Sequence, residues 1–370
     1  MERILGNVET KYFDLGKFKT ESSETIDGVE VAYETYGQLN AKGNNAILIT
    51  HAFSGDAHAT GWRDDAKKPG WWGSMIGPGK AFDTDQYFII CSNVLGGCAG
   101  TTGPSSLNSA TSRPYGSDFS QITIGDMVAV QERLIDHLGI EKLLSVAGGS
   151  MGGMQALQWL AAHPDRIHSA IPIATTMKHT PQQIALNHIQ RQAIMTDPNW
   201  RGGDYYVDQS PNRGLATARM LGHATYTSDA AMQEKFGRRK TDGIFEVESY
   251  LDYKGDQFAK RFDANSYIYL TRAMDNFDVS GSFETADDDS AKILVISFSS
   301  DWLYPPWQSE ETAAELKSLG YDVEHVVIES SAGHDSFLLE NEVQARVIRD
   351  FLARIALDLA SCEKVSSLLN

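Results

Sequence analysis

Residues 148–152 read Gly148-Gly149-Ser150-Met151-Gly152, a G-x-S-x-G pattern set between the apolar run Leu143-Leu144-Ser145-Val146-Ala147 and a helix-patterned stretch. A serine hydroxyl attacks an acyl group only where a sharp strand-to-helix turn exposes it and a base stands within reach. In this context Ser150 is the candidate nucleophile, although the pattern alone also fits a plain Gly-Ser loop. Its partners appear further along in the order Ser, Asp, His. Asp301 follows the apolar run Lys292-Ile293-Leu294-Val295-Ile296-Ser297, and His334 follows a second run, Val323 to Ile328. Both are expected on loops at one edge of a sheet. His334 would take the Ser150 proton, while Asp301 would hold the imidazole tautomer and stabilise its protonated form. Singly, Asp301 reads as a helix N-cap and His334 as a surface histidine; the shared order and placement argue for the catalytic roles.

Acyl transfer also needs donors for the oxyanion. The backbone N–H of Met151 and one from the loop after the buried run Ala46-Ile47-Leu48-Ile49-Thr50 are expected to supply them. That loop reads His51-Ala52-Phe53-Ser54-Gly55-Asp56, which points to Phe53 as the second donor and to His51 as a loop-shaping residue.

Short apolar runs alternating with helical spacing are what position such groups. They imply an α/β fold with a mostly parallel sheet and helices on both faces. Strands are expected at 46–50, at Tyr87 to Val94, before Ser150, and at Ser169 to Ala174. Ile124, Met127, Val128, Leu134, Ile135 and Leu138 recur at helical spacing before Gly139, and Met154, Leu157 and Leu160 continue a helix toward Pro164. From 177 to 285 the chain is rich in Gln, Asn, Arg, Tyr and Met without a convincing buried strand, and reads as a helical lid insertion between two parts of one core domain, 1–176 and 286–370.

The remaining bounds are compositional. The chain has 370 residues, 42% apolar and 22% charged, with a formal net charge of −17. Such an acidic chain is expected to bind neither nucleic acid nor anionic membrane, and any anionic substrate must meet locally placed Arg or Lys. Cys91, Cys98 and Cys362 form no C-x-x-C, which fits a reducing compartment, the cytoplasm. The start Met1-Glu2-Arg3-Ile4-Leu5-Gly6 lacks a signal peptide, and no apolar run is long enough to span a membrane. Asp287-Asp288-Asp289 reads as a solvated loop; no metal is expected.

With these residues in hand the chain resembles the homoserine O-acetyltransferase family of the α/β-hydrolase fold. The resemblance runs from Tyr33-Glu34-Thr35-Tyr36-Gly37 to the His334 region. It includes His51-Ala52-Phe53-Ser54-Gly55-Asp56-Ala57-His58, Pro69-Gly70-Trp71-Trp72, Asn93-Val94-Leu95-Gly96-Gly97-Cys98, Ser300-Asp301-Trp302-Leu303-Tyr304-Pro305-Pro306 and Gly333-His334-Asp335-Ser336-Phe337-Leu338. It implies a ping-pong reaction in which Ser150 takes acetyl from acetyl-CoA as co-substrate, with no permanently bound cofactor, and passes it to the homoserine hydroxyl. It also implies that Arg219 and Asp335 bind the homoserine carboxylate and ammonium, with Tyr226 joining them, and that the lid carries a homodimer contact. Phe53 departs from the family, whose members usually carry Leu there. Three alternatives share these residues: an esterase with the same triad, a transferase using succinyl-CoA or serine, and a catalytically dead scaffold.

Overall fold

The computed structural model describes residues 5–63 and 69–369, with side chains described as far as Ser361. Residues 1–4, read above as lacking a signal peptide, and the Cys362 side chain lie outside the described residues.

Eight strands form one sheet: β1 (Lys11–Lys19), β2 (Thr25–Tyr36), β3 (Ala46–Thr50), β4 (Phe88–Ser92), β5 (Ser145–Gly149), β6 (Ser169–Ile173), β7 (Lys292–Phe298) and β8 (Val323–Ile328), in the spatial order β1-β2-β4-β3-β5-β6-β7-β8. From β4 to β8 neighbouring strands run parallel, while β2 is antiparallel to β4 and β1 to β2. All five residues of β3, β5 and β6 are buried. That is why these strands read as continuous apolar runs rather than as alternation.

Successive side chains nevertheless serve opposite faces. Leu48, Val146, Ala170, Ile293 and Val295 pack with residues of α1 (Ile124–His137) and α2 (Met151–Ala162), among them Met127, Leu134, Met154 and Leu157. Their neighbours Ile47, Ile49, Ala147, Ile171, Leu294 and Ile296 pack with Ile348, Phe351, Leu352 and Ile355 of the C-terminal helix Asn341–Leu369. A capping box between Thr123 and Asp126 starts α1, and Gly139, at φ 71°, closes the turn after it.

Between β6 and β7 the chain forms five α-helices: α3 (Pro181–Met195), α4 (Asn212–Tyr226), α5 (Asp229–Lys235), α6 (Glu246–Ala259) and α7 (Ala264–Asp275). Strand structure among the described residues of this segment is confined to Lys240–Thr241 paired with Ile244–Phe245. Leu215, Phe258, Tyr267 and Ile268 from these helices join the same apolar cluster as α1 and α2. No helix among the described residues is long and apolar enough to cross a membrane.

Candidate active site

Ser150 sits between β5 and α2 with φ 59° and ψ −122°. A non-glycine residue in that region stores strain of about 1–3 kcal/mol and persists only when its surroundings over-determine it. Here the Ser150 N–H donates to Ile173 O at 2.9 Å, and its carbonyl accepts from Thr175 Oγ1 at 2.9 Å and from the Met154 N–H at 3.1 Å.

The flanking glycines answer a different need. None of the four has a positive φ, so the turn's unusual backbone belongs to the serine itself. They are small because the chain is crowded. A Cβ on Gly148 would stand 2.2 Å from Thr50 Oγ1, on Gly149 2.4 Å from the Phe337 ring, on Gly152 2.1 Å from Thr50 O, and on Gly153 2.6 Å from Thr175. Gly152→Ala is therefore expected to destabilise the fold by about 1–3 kcal/mol or more, since the clash is with backbone. A lowered denaturant midpoint at unchanged slope checks this.

Asp301 follows β7 and His334 follows β8, so the parallel sheet delivers both to the edge where β5 delivers Ser150. His334 Nδ1 donates to Asp301 Oδ2 at 2.7 Å, with both residues buried. The other carboxylate oxygen of Asp301 accepts from the N–H groups of Leu303 at 3.0 Å and Tyr304 at 2.9 Å. This fixes the carboxylate plane, and the carboxylate in turn fixes the imidazole tautomer. The backbone enters the His334 turn through Gly333, at φ 76°, where a Cβ would meet Ser228 N at 2.5 Å.

Met151 is the first residue of α2, so its N–H has no acceptor within the helix. The Phe53 N–H has no acceptor among the described residues either. The loop that carries Phe53 is shaped by His51, whose Nδ1 donates to Ala52 O at 2.8 Å while Nε2 accepts from the Val94 N–H at 3.1 Å. Burial lowers the His51 pKa and so favours the neutral ring this pairing needs. Gln155 of α2 steadies the same loop, donating to His51 O at 3.3 Å and Met151 O at 3.1 Å.

The residues implied as substrate ligands gather beside His334. Arg219 of α4 donates from Nη1 to Ser54 Oγ at 3.2 Å and lies 4.6 Å from the centre of the Phe258 ring and 5.3 Å from that of Tyr226. The Tyr226 ring is 6.0 Å from that of His334. Asp335, next to the histidine, has its pKa raised by burial, a push that the charges of His334, Arg219 and Lys254 oppose. Burial first, then the cations Arg219, Lys254 and Lys235, depress the nearby His223 to about 3, leaving it neutral near pH 7.

Ser150 borders a cavity of about 30 Å³. Its lining includes Phe53, Tyr226, Tyr304 and the polar side chains His179, Gln183, Asn187 and Gln190, with no lysine or arginine. The residues 179–190 carry no sequence signal for this placement, since they reach Ser150 only through the packing of α3 against α4 and α7. Tyr304 lies three positions beyond Asp301, where the sequence suggests no role for it.

A family model for the alpha/beta hydrolase fold matches residues 45–341. A homoserine O-acetyltransferase from Methanohalobium evestigatum is 54% identical over 364 residues, 95% of this chain and 74% of that protein. The crystal structure of homoserine O-acetyltransferase from Bacillus anthracis aligns with a TM-score of 0.87 at 30% identity, over 94% of this chain and 98% of that one. The structure of esterase E22 aligns with a TM-score of 0.86 at 33% identity, over 93% and 100%. With a serine on a strained strand-to-helix turn, a buried Asp–His pair at the adjoining strand ends and this identity over nearly its whole length, the chain belongs to the homoserine O-acetyltransferase family of the α/β-hydrolase fold.

Proposed function

We propose that the protein transfers an acetyl group from acetyl-CoA to the hydroxyl of L-homoserine, through an acetyl ester on Ser150. The observation that carries this reading is a guanidinium, Arg219, whose charge acts on the carboxylate of Asp335, next in the chain to His334. Homoserine is a zwitterion, and such a pair would hold its carboxylate and ammonium and leave the hydroxyl to face the acyl carbon. Tyr226 would wall this site.

In the first half-reaction His334 Nε2 takes the Ser150 proton as Oγ attacks the thioester. The oxyanion forms against the N–H groups of Phe53 and Met151, and CoA leaves with the proton. In the second, His334 takes the homoserine proton, the homoserine oxygen attacks the ester, and Ser150 is regenerated. Asp301 stabilises the imidazolium in both. This chemistry asks for no permanently bound cofactor.

Acetyl rather than succinyl is supported by the cavity beside Ser150. Its lining supplies no lysine or arginine to pair with a second carboxylate. The segment between β6 and β7 acts as the lid, a role supported by its supplying His179, just before α3, and Gln183, Asn187 and Gln190 of α3 to that cavity. Exposed Ile184, Ile189 and Tyr253 on α3 and α6 suit a homodimer contact on the lid. The sparse, unpaired cysteines suit the cytoplasm, and kinship with homoserine O-acetyltransferases suits a biosynthetic enzyme of the methionine pathway.

The likeness to esterase E22 favours one second reading, a hydrolase in which water takes the place of homoserine. The decisive experiment is CoA release from acetyl-CoA or succinyl-CoA with homoserine, serine or no acceptor, identifying the O-acyl product. Homoserine-dependent release from acetyl-CoA is the expected result; acceptor-independent release would make the protein a hydrolase. Arg219→Ala is expected to raise the homoserine KM by about ten- to a hundred-fold while sparing acyl-enzyme formation. Single-turnover acylation, measured alongside steady-state KM, separates the two effects, and equal loss in both would contradict the role.

A further inference from the structure

Gln155 and Trp159 of α2 and Gln131 of α1 are buried, and the reaction above does not use them. They form one chain of hydrogen bonds. Trp159 Nε1 donates to Gln131 Oε1 at 2.9 Å, and Gln131 Nε2 donates to Gln155 Oε1 at 2.7 Å. Gln155 Nε2 then donates to two backbone carbonyls, Met151 O at 3.1 Å and His51 O at 3.3 Å. An indole N–H can only donate and a carbonyl can only accept, so both ends of the chain dictate the same orientation for the two amides between them. A buried network satisfied in a single sense is rigid.

The chain ends on the frame of the two oxyanion donors. Gln155 lies one helical turn beyond Met151, so its amide moves with the end of α2 that presents the Met151 N–H. His51 begins the loop that presents the Phe53 N–H, and its carbonyl accepts no other hydrogen bond among the described residues. Further along the loop, Ala52 O accepts from His51 Nδ1 and from the Gly55 N–H, each at 2.8 Å. In a trans peptide the N–H points away from the carbonyl of the same unit, so those bonds aim the Phe53 N–H. They set its direction, and Gln155 sets where the loop stands against α2. Thr50 Oγ1, 2.8 Å from Gly152 O, ties the end of β3 to α2; among the described residues only Gln155 ties the loop itself to that helix by a hydrogen bond.

We propose that Gln155 is a positioning residue for the oxyanion hole: by holding His51 O and Met151 O to one amide nitrogen, it fixes the separation of the Phe53 and Met151 N–H groups. The oxyanion develops only as the tetrahedral intermediate forms, so donors at the wrong separation cost transition-state stabilisation rather than substrate binding. The proposal rests on the reading of Ser150 as nucleophile and of these two N–H groups as its oxyanion donors, but not on the identity of the acceptor.

The test is pre-steady-state acylation by p-nitrophenyl acetate, read together with the infrared carbonyl band of the acetyl ester on Ser150, isolated by an isotope label in the acetyl group. Hydrogen bonds from the oxyanion donors pull that band below its position in the unfolded acyl-enzyme. Gln155→Met keeps nearly the same volume and removes the donor. It is expected to slow acylation about ten-fold at nearly unchanged substrate affinity, short of the roughly 10²–10³-fold that loss of a whole oxyanion donor costs, and to move the band back toward its unfolded position. Gln131→Met is the control for damage to the core. It breaks the same chain and leaves buried polar atoms unpaired, yet keeps both carbonyls bonded to Gln155, so the rate is expected to stay within about two-fold of wild type and the band to stay in place. Should Gln155→Met not fold, Gln155→Asn, whose amide is one methylene short of His51 O, gives the same reading. Acylation by the Gln155 variant within about two-fold of wild type, or an equal loss in Gln131→Met, would overturn the proposal. A wild type that p-nitrophenyl acetate does not acylate removes the nucleophile reading, and a wild-type band at its unfolded position removes the two donors; a lowered band that Gln155→Met leaves in place removes this proposal alone.

Discussion

Ser150→Ala is expected to abolish acyl transfer, with a loss on the order of 10⁴-fold or more in kcat, while leaving the fold intact. The size of the loss follows from the arrangement. Once Oγ is gone, the His334–Asp301 pair has no proton to take, and only the oxyanion donors and substrate binding remain to assist direct attack. The small effect on stability follows from the same geometry. Alanine at φ 59° and ψ −122° carries the strain already present, and the backbone bonds to Ile173 and Thr175 do not involve the side chain. CoA release and the thermal midpoint should be read together. Transfer retained by a folded Ser150→Ala protein would remove the acyl-enzyme from the mechanism.

Asp301→Asn should cost about 10³–10⁴-fold in kcat at nearly unchanged homoserine KM. The carboxylate divides its work: Oδ1 accepts the N–H groups of Leu303 and Tyr304, and Oδ2 accepts His334 Nδ1–H. An amide at this position keeps its oxygen where two backbone donors point and turns its NH₂ toward His334. Nδ1 must then accept, the proton moves to Nε2, and the nitrogen that should receive the Ser150 proton is already occupied. The reaction of Ser150 with a serine-directed phosphonate should slow in parallel, because it depends on the same base. A loss smaller than about ten-fold would make Asp301 a structural anchor for its loop rather than the partner of His334.

The buried strands β3, β5, β6 and β7 were legible because a strand covered on both faces must be apolar throughout, which leaves a local trace. The strand-to-helix turn at Ser150 and the loops after β7 and β8 were legible for the same reason, since parallel strands deliver their following loops to one edge. β1 and β2 left a weaker trace. Lys11–Lys19 is largely exposed or half-buried and is interrupted at Gly16, and no continuous apolar run marks it as a strand. The reason for the glycines flanking Ser150 left no local trace. In the folded protein they are space-makers for Thr50, Thr175 and Phe337, residues as far as 188 positions away, and no local pattern records such distances.

By itself the sequence determined the sheet's buried strands, the chain order of Ser150, Asp301 and His334, and, through its motifs, the family. Those properties are written in short stretches of chain, where hydrophobic period and turn chemistry act locally. Only the tertiary structure decided which side chains stand around the nucleophile. His179 meets Tyr304 across 125 positions and Asp275 across 96, and Arg219 meets Ser54 across 165. Each of these contacts exists because helices from between β6 and β7 pack over the strand ends, and the packing of one long segment on another depends on the shape of both surfaces at once.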